Sequence, residues 1–220
     1  MAILLNIDTA VETASVCLSD NAEVIELLVN ENHKDHAKWL HTAINDSVTR
    51  AGMVMADLNA VAITIGPGSY TGLRIGLATA KGLCFALQIP LICINTLQMM
   101  ANAVKNEKSD LICPMIDARR MEVFTAIYNN SLEEIVKPFS TIVVKDSFAD
   151  LLATRKIIFC GNGSKKLQNV LFHQNAIFSD IAGTAANLAI LSSTCFHQKK
   201  FADLAYTEPI YLKEFYSPAH

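Results

Sequence analysis

Short apolar segments alternate with longer segments of helical periodicity along almost the whole chain. In the first half, the pattern predicts strands over 2–8, 13–19, 22–29, 59–65 and 91–95, and helices over 35–51, 71–87 and 96–104. In the second half, it predicts strands over 111–117, 121–128, 132–144 and 156–160, and helices over 146–153, 163–172 and 184–198. This alternation of strands and helices is typical of an α/β fold.

The most polar stretch of the chain divides this pattern into two halves. Residues 105–110 read KNEKSD and predict a linker between two lobes, 1–104 and 105–220. With 220 residues and 51% hydrophobic content, the chain can bury a core in each lobe. We expect the C-terminal segment of the second lobe to pack back on the first.

The two halves repeat the same succession of motifs. LLNID (4–8) and CPMID (113–117) each end a strand in Ile-Asp, and GPGS (66–69) and GNGS (161–164) each follow a later strand. Such a repeat predicts a duplicated α/β lobe. A duplicated lobe whose first strand ends in aspartate resembles the actin, Hsp70 and sugar-kinase superfamily, which implies an actin-like ATPase fold.

In that superfamily, two strand-turn loops clamp ATP, and each carries an aspartate followed by glycines that let backbone N–H groups approach phosphate. The corresponding loops here read DTAV (8–11) and DARR (117–120) and contain no glycine. We therefore expect no tight binding or hydrolysis of ATP by this chain alone. The alternative role for Asp8 and Asp117 is to cap their own turns.

The segment GPGSYTG (66–72) lies between a predicted strand and a predicted helix. It is not a P-loop, because Leu73 rather than lysine follows its last glycine. A turn at Pro67 and Gly68 followed by a helix capped by Ser69 or Thr71 fits the residues better, and the helix N-terminus would hold an anion only weakly. The candidate residues for nucleotide or anion binding are Asp8, Thr9, Gly66, Gly68, Ser69 and Thr71.

The helix over 71–87 has two faces that lack the polarity of a surface helix. The face predicted to pack on the sheet comprises Leu73, Gly76, Leu77, Ala80, Leu83, Cys84 and Leu87. The opposite face carries Arg74 and Lys81 as its only charges, beside Ile75, Ala78, Gly82, Phe85 and Ala86. Something must cover it, either the chain's own helices 35–51 or 96–104, or another protein subunit.

Composition excludes several other classes of protein. A formal net charge of −3 does not favour a basic nucleic-acid surface. The six cysteines lie in apolar stretches without a CxxC pair, which predicts buried thiols in a reducing compartment. Neither a membrane span nor a signal peptide is predicted, so we expect a cytoplasmic protein.

His33, His36 and His41 cluster near the start of helix 35–51, beside the only tryptophan, Trp39. His36 and His41 are five residues apart, so about 140° separates them around a helix, and they do not share a metal easily. A solvated helix start is the simpler interpretation. No catalytic set, metal ligand or cofactor is predicted.

Five motifs occur in an order that resembles the TsaB family of bacterial tRNA threonylcarbamoyladenosine biosynthesis proteins, also described as glycoprotease-like or peptidase M22-like. They are IDT (7–9), GPGSYTGLRIG (66–76), DARRMEVF (117–124), GNG (161–163) and PIYLK (209–213). The resemblance covers nearly the whole chain. It implies a role in the N6-threonylcarbamoyl modification of adenosine 37 in tRNAs that read codons starting with A.

The resemblance also implies a division of labour. The chemistry belongs to a paralogue, TsaD, which a TsaB-type protein supports as a non-catalytic partner, and TsaE is an associated ATPase. Contact with tRNA is then indirect or minor and no membrane is involved, while the sequence leaves open whether the lone chain is a homodimer or a monomer. The helices matching 35–51 and 71–87 meet the paralogue, which implicates Trp39, Arg74, Ile75, Ala78, Lys81, Gly82 and Phe85.

The paralogue carries a histidine pair that holds a metal, and the matching positions here are Thr96 and Met100. Neither side chain suits such a metal, so the metallopeptidase interpretation loses support. An autonomous nucleotide-dependent phosphotransferase remains the main alternative to a non-catalytic partner subunit.

Overall fold

The computed structural model describes residues 1–30 and 36–213. The first lobe contains a five-stranded sheet of β1 (Ile3–Asp8), β2 (Ala14–Asp20), β3 (Glu23–Asn30), β4 (Ala60–Thr64) and β5 (Leu91–Ile94), in the order β3-β2-β1-β4-β5. Its helices are α1 (His36–Arg50), α2 (Tyr70–Leu87) and α3 (Thr96–Val104), with a 3₁₀ turn at Met55–Asp57.

The second lobe repeats this arrangement. Its sheet consists of β6 (Leu111–Asp117), β7 (Glu122–Tyr128), β8 (Glu134–Ile142), β9 (Ile157–Cys160) and β10 (Ala176–Phe178), and its helices are α4 (Ala149–Leu152), α5 (Ser164–Gln168) and α6 (Ala185–His197). The strand order β8-β7-β6-β9-β10 matches that of the first lobe, with antiparallel hairpins followed by parallel pairs in both sheets. The predicted duplication is confirmed.

The second lobe departs from the predicted elements where backbone turns interrupt the apolar pattern. The strand expected from 132 starts at Glu134, because Leu132 lies in the left-handed region with φ 62°. The helix expected from 146 starts after Phe148, where φ is 64°. The helix expected over 163–172 ends at Gln168, and the three-residue strand β10 was too short to show a period.

Two helices cross between the lobes. Helix α3 follows the first sheet but packs against β6, β7 and β9 of the second, and α6 follows the second sheet but packs against β1 to β5 of the first. The two helices also contact each other, so they form a middle layer between the sheets. One buried cluster therefore runs from Leu4 and Ile92 through Met100 and Leu188 to Ile158.

Buried polar contacts hold α6 on the first sheet. The Ser192 hydroxyl donates to Asn6 Oδ1 at 2.5 Å, and the backbone N–H of Ala185 donates to Ser15 Oγ at 2.8 Å. Because an unpaired buried polar group costs about 1–3 kcal/mol, these pairs select one position of the helix on the sheet.

After α6, the C-terminal segment (residues 198–213) returns over the first lobe. The N–H of Ala202 donates to the Leu91 carbonyl at 2.8 Å, and the N–H of Ile210 donates to the Ile65 carbonyl at 2.7 Å. The segment thereby extends the edge of the first sheet and then crosses the end of β4.

The shared core predicts that the two lobes unfold together. Met100 is 4% exposed and its methyl group lies against Gly161 of the second lobe, so Met100→Ala should cost about 2–5 kcal/mol. Urea unfolding followed by Trp39 fluorescence, which reports the first lobe, and by far-UV circular dichroism should show one coincident transition. Phe172→Ala is the control, because this side chain is 88% exposed. Separate transitions from the two probes would contradict a single core.

Candidate functional site

The glycines at and just before the start of α2 face the loop between β1 and β2. A Cβ added at Gly68 would lie 2.3 Å from the Ala10 carbonyl oxygen, and one at Gly72 would lie 2.1 Å from the Thr9 carbonyl oxygen. At Gly76 it would lie 2.2 Å from Thr9 Oγ1. Gly68, Gly72 and Gly76 therefore let α2 and the turn before it pack directly on the loop between β1 and β2.

Gly66 is enclosed by the C-terminal segment. Its φ is +119°, which favours glycine, and an added Cβ would lie 2.4 Å from the Ile210 carbonyl oxygen. Its N–H donates to Thr96 Oγ1 at 3.1 Å, and its carbonyl accepts from the Thr96 N–H at 2.9 Å. With both backbone groups in use, Gly66 joins structural elements and does not line the cleft between the lobes.

Asp8 and Thr9 are buried and their side chains bond within the protein. Asp8 Oδ1 accepts from the Ala10 N–H at 3.1 Å and from Thr64 Oγ1 at 2.5 Å. Thr9 Oγ1 donates to the Gly72 carbonyl at 2.8 Å. Asp8 thus caps its own turn, and neither residue is placed to contact an anion in the cleft, which corrects their assignment as candidates.

The two equivalent aspartates lie in opposite electrostatic environments. Burial raises the pKa of Asp8 above its ordinary value, although the hydrogen bonds from Thr64 and Ala10 act in the other direction. Asp117 lies at the cleft, and its Oδ1 accepts from Lys166 Nζ and from the Arg119 N–H, both at 2.6 Å. Partial burial raises the pKa of Asp117, but these partners outweigh it and the net pKa is lowered.

A cleft of about 810 Å³ separates the lobes. The first lobe lines it with residues 10–12, 37, 68–72 and 75, and the second lobe with residues 116–119, 124 and 162. Gly68, Ser69 and Thr71 are therefore the three anion candidates that remain on its wall. Ser69 is the N-cap of α2, because its hydroxyl accepts from the Gly72 N–H at 3.3 Å.

The loop of the second lobe adopts its conformation without glycine. Arg119 and Arg120 have φ values of 68° and 43°, which are unfavourable for side chains with a Cβ. Arg119 lines both the cleft and an adjoining cavity of about 640 Å³. Residues 210–213 form the other wall of that cavity, which sequence analysis had noted only as a family motif.

The outer face of α2 is the second candidate site. Arg74, Ala78, Gly82 and Ala86 are exposed, and Phe85 is 70% exposed. A Cβ added at Gly82 would meet no atom within 4 Å. Of the two helices that could have covered this face, α1 contacts α2 but leaves Ala78 exposed, and α3 packs on the other sheet.

The remaining residues of the predicted partner surface lie at the flanks of this face. Ile75 and Trp39 are half-buried and pack on the core of the first lobe. Lys81 Nζ donates to the Ala205 carbonyl at 3.1 Å. Arg74 Nε donates to the Tyr211 hydroxyl at 3.0 Å, and its guanidinium lies 4.0 Å from the centre of the Tyr70 ring. The C-terminal segment therefore borders the exposed face.

The positions that match the paralogue's metal ligands are structural. Thr96 is fully buried against Gly66, and Met100 lies in the core shared by the lobes. No three His, Cys, Asp or Glu side chains converge to hold a metal within residues 1–30 and 36–213. His41 is exposed, while His33 and the side chain of His36 lie outside the described residues. All six cysteines carry free thiols, and no helix in the described part is long and apolar enough to cross a membrane.

The fold and the cleft define a two-lobed protein of the actin-like ATPase class. The activator of the 2-hydroxyisocaproyl-CoA dehydratase from Clostridium difficile, solved with bound ADPNP, shares this fold with a TM-score of 0.50 at 10% identity, over 91% of this chain and 98% of the activator. YeaZ from Pseudomonas aeruginosa superimposes with a TM-score of 0.82 at 24% identity, over 96% of this chain and all of that one.

Sequence comparison identifies the family. The family model described as "TsaD: tRNA N6-adenosine threonylcarbamoyltransferase" matches residues 28–214. The tRNA threonylcarbamoyladenosine biosynthesis protein TsaB of Bacillus subtilis is 30% identical, over 92% of this chain and 85% of its own length. The TsaB protein of Escherichia coli is 28% identical, over 96% of this chain and 94% of its own length. The chain belongs to the TsaB family, as its motifs predicted.

Two glycines of α2 should respond in opposite directions to the same substitution. Gly72→Ala places a methyl group against the Thr9 carbonyl and should cost about 1–3 kcal/mol of unfolding free energy, as overpacking does. Gly82→Ala adds a methyl group in open space and should raise the unfolding free energy by up to about 1 kcal/mol, because alanine favours helix. Urea unfolding measures both, and equal effects would contradict the proposed packing.

Asp8 and Asp117 should contribute oppositely to the pH dependence of stability. Since burial raises the pKa of Asp8 in the folded state, the folded chain loses stability as pH rises above about 3.9, the pKa of an unfolded aspartate. Asp8→Asn should therefore gain stability relative to the parent between pH 4 and pH 7.

Asp117→Asn is the matched control. The pKa of Asp117 is lowered, so its stabilising contribution is present above about pH 4 and is lost as pH falls through the folded value. This variant should lose stability relative to the parent at pH 7, by a smaller amount because the side chain is partly exposed. Parallel pH profiles for the two variants would contradict the assignment.

Proposed function

We propose that this chain is a non-catalytic partner subunit in the synthesis of N6-threonylcarbamoyladenosine, which binds and supports a TsaD-type catalytic subunit. The modified base is adenosine 37 of tRNAs that read codons starting with A. The observation that carries the proposal is the outer face of α2, where the small or apolar residues Ala78, Gly82, Phe85 and Ala86 are exposed.

The outer face of α2 has the properties of a helix-packing surface. Ala78, Gly82 and Ala86 recur every four residues, so one strip of the helix lacks large side chains and a second helix can approach closely. Phe85 projects beside this strip and is 70% exposed. Gly82 costs about 1 kcal/mol in a helix interior, and the free chain shows no packing that offsets this cost.

The interior of the chain supports a role without chemistry of its own. Gly68 and Gly72 pack against the carbonyls of Ala10 and Thr9, and Asp8 is fully buried. Thr96 and Met100 replace the histidines of the paralogue and are buried. Family membership supports participation in the modification, and the catalytic step is assigned to the partner.

We propose three further interactions of the chain. In the absence of the TsaD-type protein, two copies of the chain pair through α2. A TsaE-type ATPase joins the complex of the two paralogues, and the chain itself makes only indirect or minor contact with tRNA.

Ala78→Glu tests the partner surface. It introduces a carboxylate at the centre of the exposed strip, and burying an unpaired charge there should cost several kcal/mol of binding energy. A loss of about 4 kcal/mol weakens the complex roughly a thousandfold. Size-exclusion chromatography with the TsaD-type protein of the same organism should show co-elution of the parent chain and none of the variant.

Two measurements make this test decisive. The melting curve of Ala78→Glu should still show the cooperative transition of a folded chain, because the side chain is exposed in a single copy, while the dimer proposed to form through α2 should dissociate. Ala149→Glu, an exposed helix position in the second lobe, should leave co-elution intact. A folded Ala78→Glu variant that still co-elutes would refute the role of α2.

The cleft favours one alternative function, that of an autonomous nucleotide-dependent phosphotransferase. Its volume of about 810 Å³ suits a small ligand, although the loops around it lack glycine. We expect isothermal calorimetry of the isolated chain with Mg-ATP to give a Kd weaker than about 1 mM, that is, less than about 4 kcal/mol of binding energy. A micromolar Kd accompanied by ATP turnover would favour the phosphotransferase.

A further inference from the structure

The C-terminal segment touches both lobes in succession. Its first contacts lie on the first lobe, at Leu91, Lys81 and Ile65. Its last described residue, Lys213, forms an ion pair with Glu122 at the start of β7, in the second lobe. The segment therefore reaches from the first lobe to the second, and residues 210–213 line the cavity that adjoins the cleft.

Glu122 is firmly connected to the loop that lines the cleft. Its N–H donates to the Arg120 carbonyl at 2.7 Å, and its own carbonyl accepts from the Ala118 N–H at 3.0 Å. Lys166 Nζ donates to the Glu122 carbonyl at 2.9 Å and to Asp117 Oδ1 at 2.6 Å. A displacement of Glu122 should therefore also shift residues 117–120, because these hydrogen bonds connect them.

The segment is also connected to the outer face of α2. Two residues before Lys213, Tyr211 accepts a hydrogen bond from Arg74 Nε at 3.0 Å, and its ring centre lies 5.2 Å from that of Tyr70. Arg74 is one of the exposed residues of that face. One short stretch of chain thus joins the exposed face, the turn at Gly66 and the loop at the cleft.

We propose that residues 198–213 act as a strap that latches the two lobes across the mouth of the cleft, and that Arg74 and Tyr211 couple the latch to the outer face of α2. The latch is the Lys213–Glu122 pair. The Lys213 side chain is half-exposed in this pair, and ion pairs at the protein surface add little to stability, so the latch suits a reversible control of the cleft. Coupling to a bound protein rests on the function proposed above, whereas the latch is a property of the chain itself.

Hydrogen exchange of the free chain tests the latch. Lys213→Gln removes the charge, and amide exchange in peptides covering 117–122 and 209–213 should accelerate by about two- to fivefold. In the parent, about 1 M salt should produce the same acceleration by screening the pair, and it should add little in the variant. Unchanged exchange in 117–122 would overturn the latch.

Lys81→Gln is the matched control. It breaks a contact of the same segment with α2, at Ala205, far along the segment from the latch. Exchange should accelerate around 203–207 and stay unchanged in 117–122. If Lys81→Gln accelerates amide exchange in 117–122 as much as Lys213→Gln does, the segment acts as a general support and the latch is refuted.

Tyr211→Phe tests the coupling. It deletes the acceptor of the Arg74 hydrogen bond and keeps the ring beside Tyr70. If the coupling holds, exchange should accelerate in both 209–213 and 117–122, although the ion pair itself is untouched. Acceleration confined to 209–213 would overturn the coupling and leave the latch in place.

Addition of the TsaD-type protein separates this proposal from the function on which the coupling rests. When the TsaD-type protein binds, the amide exchange rate of residues 117–122 should change in the parent chain and stay constant in the Lys213→Gln variant. The same change in both chains would refute coupling through the latch. If no complex forms, the proposed function fails, and the measurements on the free chain still decide the latch.

Discussion

The exchange of α3 and α6 between the lobes is the constraint on which the rest of the structure depends. Each helix packs on the sheet of the other lobe, so neither sheet can bury its inner face alone. The apolar interior is therefore continuous across the molecule, with Met100 and Leu188 in its middle. As a result, the cleft lies between two lobes that share a core.

The outer layer follows from a different constraint, the close approach of α2 to the loop after β1. Gly68 and Gly72 bring the turn and the helix against the carbonyls of Ala10 and Thr9, and Gly76 packs against the Thr9 hydroxyl. A glycine-rich turn before a helix is also how proteins bind phosphate, through the free N–H groups of the helix N-terminus. Here the close approach of the loop after β1 explains the three glycines, so this sequence feature serves packing and directs the opposite side of the helix outward.

The sequence predicted the duplicated fold well, because both halves repeat strand-ending aspartates and Gly-x-Gly-Ser turns at equivalent positions. It predicted the candidate site less well. Asp8 and Asp117 look equivalent in the sequence, yet only the fold shows that one is enclosed and the other lies at the cleft. The role of residues 209–213 could not be predicted, because it depends on contacts with Arg74 and Glu122, which lie far away along the chain.

Gly82 explains why the outer face of α2 is better understood as a surface for a partner than as an accident of composition. At this position alanine would stabilise the helix at no steric cost to the free chain. Folding alone therefore gives no reason for glycine here, in contrast to Gly72, where the backbone leaves no room for a methyl group. We propose that a helix of the partner supplies the missing reason by lying against Ala78 and Gly82, because small side chains let two helix backbones approach closely.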